Sequence, residues 1–288
     1  MLLTILEKDY WVTRVLCAIA EQHSDHVVFK GGTSLSKGLG LTERFSEDID
    51  LVVDVGDRGE GSRDKLLKAI AQDVANSCAL EMTLQRSGKG EHRDVAYSFE
   101  AIWAGGEAVK PSVLLEMGIR SALVPATLQP LKTMIAAAVP RVESELPSCE
   151  LSVLGADRTL VEKLCVIHGT VVRYLANREQ QSLNRIGRHY YDVAKLLAAP
   201  TVNASIGTSS FWEMAKDADV RGARDFAKRH VSLTELNCAE SPGLFPDDDV
   251  AQVLRREYHR DEVLFFGAAP SFDDALLALE SIRPRLRK

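Results

Sequence analysis

The sequence predicts an α+β fold: a mixed α/β N-terminal half built on a mixed sheet, then an all-α C-terminal half. Three observations predict it. Between Val27 and Arg120, short apolar or alternating runs are broken by glycine-rich turns, which is the pattern of strands. From about Thr159 onward the stretches "LVEKLCVIHGTVVRYLAN", "GRHYYDVAKLLAAP", "SSFWEMAKDADVRGARDFAKRH" and "SFDDALLALESIRPRL" each run about one helix length. The chain has 288 residues, 45% hydrophobic and 26% charged, a globular balance with room for two domains. The boundary is expected near residue 125, giving domains 1–125 and 126–288.

In order, residues 3–23 read as a helix, because Ile5, Trp11, Val12, Val15, Leu16 and Ile19 recur at spacings of three and four. Val27–Phe29 is a short buried strand, Gly31–Gly32 a turn, and "TSLSKGL" the opening of a short helix. "DIDLVVDV" is a second strand. "GDRGEGSRDK" is a loop and "KLLKAIAQDVANSC" an amphipathic helix. "LEMTLQRS", "DVAYSFEAIW" and "SVLLEMGIR" alternate like strands, with Ala104–Lys110 as a hairpin loop. "PATLQPLKTMIAAAVP" is punctuated by prolines and reads as a connector with one short helix.

The net charge is -6, which excludes a general polyanion binder, so any nucleic-acid contact needs a local basic patch. No apolar run reaches the length of a membrane span. The start, interrupted by Glu7, Lys8 and Asp9, does not read as a signal peptide. Five scattered cysteines with no CxxC pair read as reduced thiols of a cytoplasmic protein, and no zinc site is expected.

The chemistry concentrates in "VVFKGGTSLSKGLGLTERFSEDIDLVV". Alternation along a strand puts Asp48 and Asp50 on one face and Ile49 and Leu51 on the other. Two carboxylates about 7 Å apart repel. A divalent cation relieves that, and Mg²⁺ prefers such oxygens together with phosphate and water. The alternative is a solvated strand end, or an ion pair with Arg44. "KGGTSL" lies between a strand and a helix, where backbone N–H groups and the Ser34 hydroxyl can reach phosphate oxygens. It is neither a Walker A loop nor a GxGxxG fingerprint.

A strand, a Gly-Gly-Thr-Ser turn, a short helix, thirteen residues from Leu35 to Glu47, then Asp-x-Asp on a second strand resembles the polymerase-β-type nucleotidyltransferase superfamily. More narrowly, "LEKDYWVTRVL", "VFKGGTSLSKGLGLTERFSEDIDLVV", "EKLCVIH" and "RHYYDVAKLL" resemble successive motifs of the AbiEii/AbiGii toxin family. Members of that family are toxins of type IV toxin–antitoxin and phage-defence systems. The likeness covers roughly residues 5–197.

The resemblance implies a nucleotidyltransferase domain followed by a helical domain that completes the active site. It implies NTP as substrate, Mg²⁺ or Mn²⁺ as cofactor, a cognate antitoxin, and transfer onto RNA, for some members the 3′ end of tRNA. By position Gly31, Gly32, Thr33 and Ser34 would hold the triphosphate, and Asp48 and Asp50 the metal. Lys163 and Asp192 would be the active-site residues of the helical domain. Glu116, an acid in an apolar strand, is the candidate third carboxylate.

Several residues read two ways. Lys163 is either a solvated face residue, whose truncation changes stability by no more than about 0.5 kcal/mol, or a cation for the β/γ-phosphates. Asp192 either pairs with Arg188, orients Lys163 or accepts the proton of the attacking hydroxyl. Arg44 and Lys37 are surface cations or phosphate ligands. Arg44 and Ser46 share the face of Asp48 and Asp50 if the strand begins early enough. In that case phosphorylation of Ser46, or of Thr33 or Ser34 in the cradle, would be an off-switch; otherwise Ser46 caps a turn before the strand. Tyr190, Tyr191 and Trp11 read as packing, and His168 and His189 as structural. For "EKDYW" the sequence suggests no mechanism beyond helix packing under the sheet. Residues 151–199 hold seven Lys/Arg against four acids, a surface an RNA backbone could follow. The rival activities are transfer of the γ-phosphate to a protein or small molecule, and nucleotide binding without catalysis.

Overall fold

The apolar runs on either side of the Gly31–Gly32 turn pair with one another. In the computed structural model, which describes residues 2–46, 48–103, 109–233 and 238–287, β1 (Val27–Lys30) and β2 (Asp48–Val53) run antiparallel. Chain contacts divide the protein into two units, Met1–Gly40 with Phe45–Leu154, and Leu41–Arg44 with Gly155–Lys288.

The first unit also contains α1 (Leu2–His23), α2 (Gly31–Lys37), α3 (Glu60–Cys78), β3 (Glu81–Gly88), β4 (His92–Ser98), β5 (Ser112–Gly118), β6 (Ala126–Lys132), α4 (Met134–Ala138) and β7 (Ser148–Leu154). Its seven-stranded mixed sheet has the order β3-β4-β5-β2-β1-β7-β6. The β2/β5 and β1/β7 pairs are parallel, and the others antiparallel. Val12, Val15, Leu16 and Ile19 of α1 and Leu67, Ile70 and Val74 of α3 bury one sheet face, against Phe29, Ile49, Leu51, Val95, Leu115 and Val153. Each such side chain stabilises the unit by about 1.5–3 kcal/mol. On the other face Val28, Val52 and Leu154 form a small cluster.

The stretch read as a proline-punctuated connector contains the edge strand β6, paired with β7 from Ala126↔Leu154 to Lys132↔Ser148. Pro130 is tolerated there because an edge strand has one side that needs no ladder donor. The first unit therefore continues through Leu154, past the expected boundary near 125. In the expected 104–110 hairpin loop, residues 104–108 lie outside the described residues.

The motif Glu7-Lys8-Asp9 has a definite task. Successive helix positions point about 100° apart, so each buried charge meets a different segment. Glu7 accepts the N–H groups of Ile102 (2.7 Å) and Trp103 (3.3 Å). Lys8 donates to the carbonyls of Lys110 (3.0 Å) and Ser112. Asp9 accepts from Met134 N (2.6 Å) and Lys37 Nζ (2.5 Å). Asp9→Ala strands the buried Lys37 ammonium, so a loss of about 3–5 kcal/mol is expected. A chemical melt of the purified variant measures it; a loss below about 1 kcal/mol would show that the pair is not structural.

The second unit is helical: α5 (Ala156–Ala176), α6 (Gly187–Ala198), α7 (Pro200–Ser205), α8 (Ser209–Asp225), α9 (Asp248–Asp261) and α10 (Phe272–Ile282). Helix ends follow side-chain caps. Asp247 accepts Val250 N–H, and Ser271 and Asp274 form a capping box. The aromatic residues of α6 are packing residues, as the sequence predicts. Tyr190 donates to Gly243 O at 2.5 Å, and Tyr191 stacks on Phe265 at 4.2 Å. Among the described residues no helix is long and apolar enough to cross a membrane.

Candidate active site

In the first unit, strand register builds the site. Ile49, Leu51 and Val53 of β2 are buried in the core, so Asp48 and Asp50 take the other face. Directly opposed residues share a face. Lys30 of β1 lies opposite Asp50, Glu116 of β5 lies opposite Asp50, and Asp94 of β4 lies opposite Glu116. A row Asp94, Glu116, Asp50, Lys30 thus crosses four strands, with Arg86 bound to Asp94 at its outer end (2.7 Å). Asp94 and Lys30 escape a reading of the sequence alone, because only the register brings them beside Asp50 and Glu116.

This crowding shows in Glu116. Burial, then the charge of Asp50 and a hydrogen bond to it, then Asp94 and Asp48, push its carboxyl from an ordinary 4.5 up to about 7. A raised carboxyl pKa binds an extra proton in the folded state between those values. Stability without metal therefore falls as pH rises from about 4.5 through about 7. Glu116→Gln is expected to flatten that part of the stability profile, measured by urea melts from pH 4.5 to 8. An unchanged slope would remove Glu116 as its source.

The family resemblance implies a divalent ion, and the donor set fits one. Among the described residues no three His, Cys, Asp or Glu side chains form a ready cage. Mg²⁺ is ordinarily held by one or two carboxylates with water and substrate phosphates. Asp50 and Glu116, with Asp48 nearby on the same face, are hard oxygens whose repulsion a cation would relieve.

Against this row lies the glycine turn. Gly31 has φ +77, and a Cβ there would sit 2.0 Å from Asp50 Oδ2, so only glycine brings the backbone this close. The Gly31–Gly32 pair forms the first turn of α2 rather than a separate turn. Thr33 donates to Asp48 O (2.6 Å) and Ser34 to Gly31 O (2.9 Å), and both side chains are buried. The Thr33 hydroxyl fastens the turn to β2 and the Ser34 hydroxyl closes the turn on itself, so the groups left to face a phosphate would be the N–H groups of its first residues. Lys37 turns to α1, donating to Asp9 Oδ1, Thr13 Oγ1 (2.9 Å) and Lys132 O (3.1 Å).

β2 begins at Asp48, so Ser46 and Arg44 do not share its alternation. Arg44 belongs to the second unit, where Leu41–Arg44 is held along the helices. Its backbone bridges Phe265, and the Glu43 N–H donates to Tyr191 Oη (2.9 Å). Arg44 grips Asp192 bidentately, Nε to Oδ1 at 2.6 Å and a second nitrogen to Oδ2 at 2.8 Å. Lys163 Nζ meets Asp192 Oδ2 at 2.7 Å. The three side chains are 3%, 0% and 8% exposed in the order Arg44, Asp192, Lys163.

Burial works to raise the Asp192 carboxyl, but Lys163 and Arg44 outweigh it and hold it well below the usual range. Burial lowers Lys163, against the pull of Asp192. A carboxylate so held is a poor proton acceptor and a firm support for a lysine. Lys163 is thus buried and paired, which corrects the solvated-face reading. Asp192 pairs with Lys163, the contact that one of its readings from the sequence requires, and with Arg44, a partner that the sequence did not suggest.

The basic stretch 151–199 is less positive than it reads. Arg158 is buried against Asp217 (2.8 Å) and Glu162 (3.4 Å), Lys163 against Asp192, and Lys195 pairs with Glu43 (3.1 Å). Arg178 lies over the Tyr174 ring. His168 bonds Ser241 (2.8 Å), and burial holds His189 well below its ordinary range.

A family model described as "Nucleotidyl transferase AbiEii toxin, Type IV TA system" matches residues 14–278. No curated protein and no solved structure matches the chain.

Proposed function

The chain belongs to the AbiEii nucleotidyl transferase toxin family of type IV toxin–antitoxin systems, and on that premise we propose a Mg²⁺- or Mn²⁺-dependent transfer of a nucleotide from an NTP to an RNA hydroxyl. The favoured acceptor is the 3′ end of a tRNA, and the setting is growth control and phage defence, answered by a cognate antitoxin. The observation that supports this most is the placing of Gly31 against Asp50, in a row with Glu116.

Asp48, Asp50 and Glu116 would hold the metal. When bound, it would neutralise their repulsion and stabilise negative charge on phosphate oxygens. The first turn of α2 would bind the triphosphate through backbone N–H groups, with Gly31 and Gly32 removing side chains from its path. The acceptor hydroxyl would attack the α-phosphate, and pyrophosphate would leave. By the family resemblance Lys163 would offer positive charge to the nucleotide phosphates; within the second unit it pairs with Asp192, which Arg44 holds in turn.

The test is incubation of the purified protein with total RNA and each NTP, labelled at the α- or the γ-phosphate. Transfer of α-label to RNA, lost in Asp48→Ala, is the expected result. Transfer of γ-label instead, to RNA or to protein, would replace this reading with phosphotransfer. No transfer of either label would favour a binding module.

A further inference from the structure

We propose that Lys30 is a further substrate-contacting residue, an ammonium that meets the triphosphate of the bound NTP, and that Ser121 positions it. The inference rests on the nucleotidyltransferase reading above and extends it to a residue outside the family-derived site.

Lys30 is the last residue of β1 and lies directly opposite Asp50. Opposed residues share a face, so its side chain leaves the sheet on the side of Asp50 and Glu116. The next residue is Gly31, whose backbone rests against the same Asp50 carboxylate. The Lys30 backbone, the Gly31 backbone and the Asp50 carboxylate are therefore neighbours on this face of the sheet. Lys30 Nζ donates to Ser121 Oγ at 2.6 Å. A side-chain tip already restrained loses less freedom when it meets a ligand.

Charge gives Lys30 its purpose. A triphosphate approaching this face meets the field of Asp48, Asp50, Glu116 and Asp94, and a cation on the same face offsets that repulsion. Lysine serves as a point-charge phosphate ligand. Lys37, the other lysine of this motif, is taken up by Asp9, Thr13 and the Lys132 carbonyl. Were Lys30 only a counter-charge for Asp50, its loss would tighten divalent-cation binding and leave nucleotide affinity alone.

The experiment is equilibrium dialysis of each labelled NTP with Mg²⁺ and no RNA, on wild type, Lys30→Met, Lys30→Arg and Ser121→Ala, with thermal melts alongside. Lys30→Met is expected to weaken the tightest-bound NTP by about tenfold or more, with Arg recovering part of it. Ser121→Ala is expected to weaken it by about two- to fivefold. A folded Lys30→Met protein that binds every NTP as wild type does overturns the proposal. If Lys30→Met does not fold, Ser121→Ala decides: weaker binding supports the proposal, and wild-type affinity overturns it. A folded wild type that binds no NTP overturns the nucleotidyltransferase reading itself, and this inference with it.

Discussion

Asp48→Asn and Asp50→Asn are each expected to abolish nucleotide transfer and growth inhibition, a loss of at least about 10²–10³-fold. The fold should survive. Both side chains lie on the face away from the buried Ile49, Leu51 and Val53, so no core contact is lost. Asn also keeps the shape of Asp while removing a charge from a crowded row. The melting temperature without divalent ions should therefore hold or rise. Added Mg²⁺ should raise the melting temperature of wild type more than that of either variant, because a ligand of the folded state stabilises it by mass action. Full activity in a folded Asp50→Asn protein would end the metal assignment.

The second large effect belongs to Asp192. Asp192→Ala leaves Arg44 and Lys163 buried without their shared carboxylate, which costs about 3–5 kcal/mol. For a chain of this size that corresponds to a fall of roughly 6–20 °C. Lys163→Ala leaves Asp192 its two bonds to Arg44 and should cost less. The pH dependence has a definite sign. Asp192 is depressed in the folded state, so its contribution is present above the ordinary carboxylate value near 3.9 and lost as pH falls further. The wild-type advantage over Asp192→Ala should thus stay level between about pH 5 and 8 and shrink under about pH 4. An Asp192→Ala protein that melts with wild type would show that the network is not formed.

The parts of the site that lie close together in sequence were legible in it. Alternation in "DIDLVV" told which face Asp48 and Asp50 would take, and the double glycine marked the turn before them. What escaped depends on partners far away in the chain. Asp192 reaches Arg44 across 148 positions, and no helical spacing announces that pair. Lys30 and Asp94 join the carboxylate row only through strand register. Pro130 hid β6, because a proline that ends a central strand is tolerated at the sheet's edge. The Glu7-Lys8-Asp9 motif was visible as a motif. Its task was not, because the segments it ties lie about 30 to 125 residues away.

The most direct measurement is the mass of a tRNA pool after incubation with all four NTPs and Mg²⁺, with wild type and Asp50→Asn side by side. The account predicts tRNAs extended at the 3′ end by nucleotide residues with wild type, and an unchanged pool with the variant. A pool left unchanged by folded wild-type protein, or extended equally by Asp50→Asn, would contradict it.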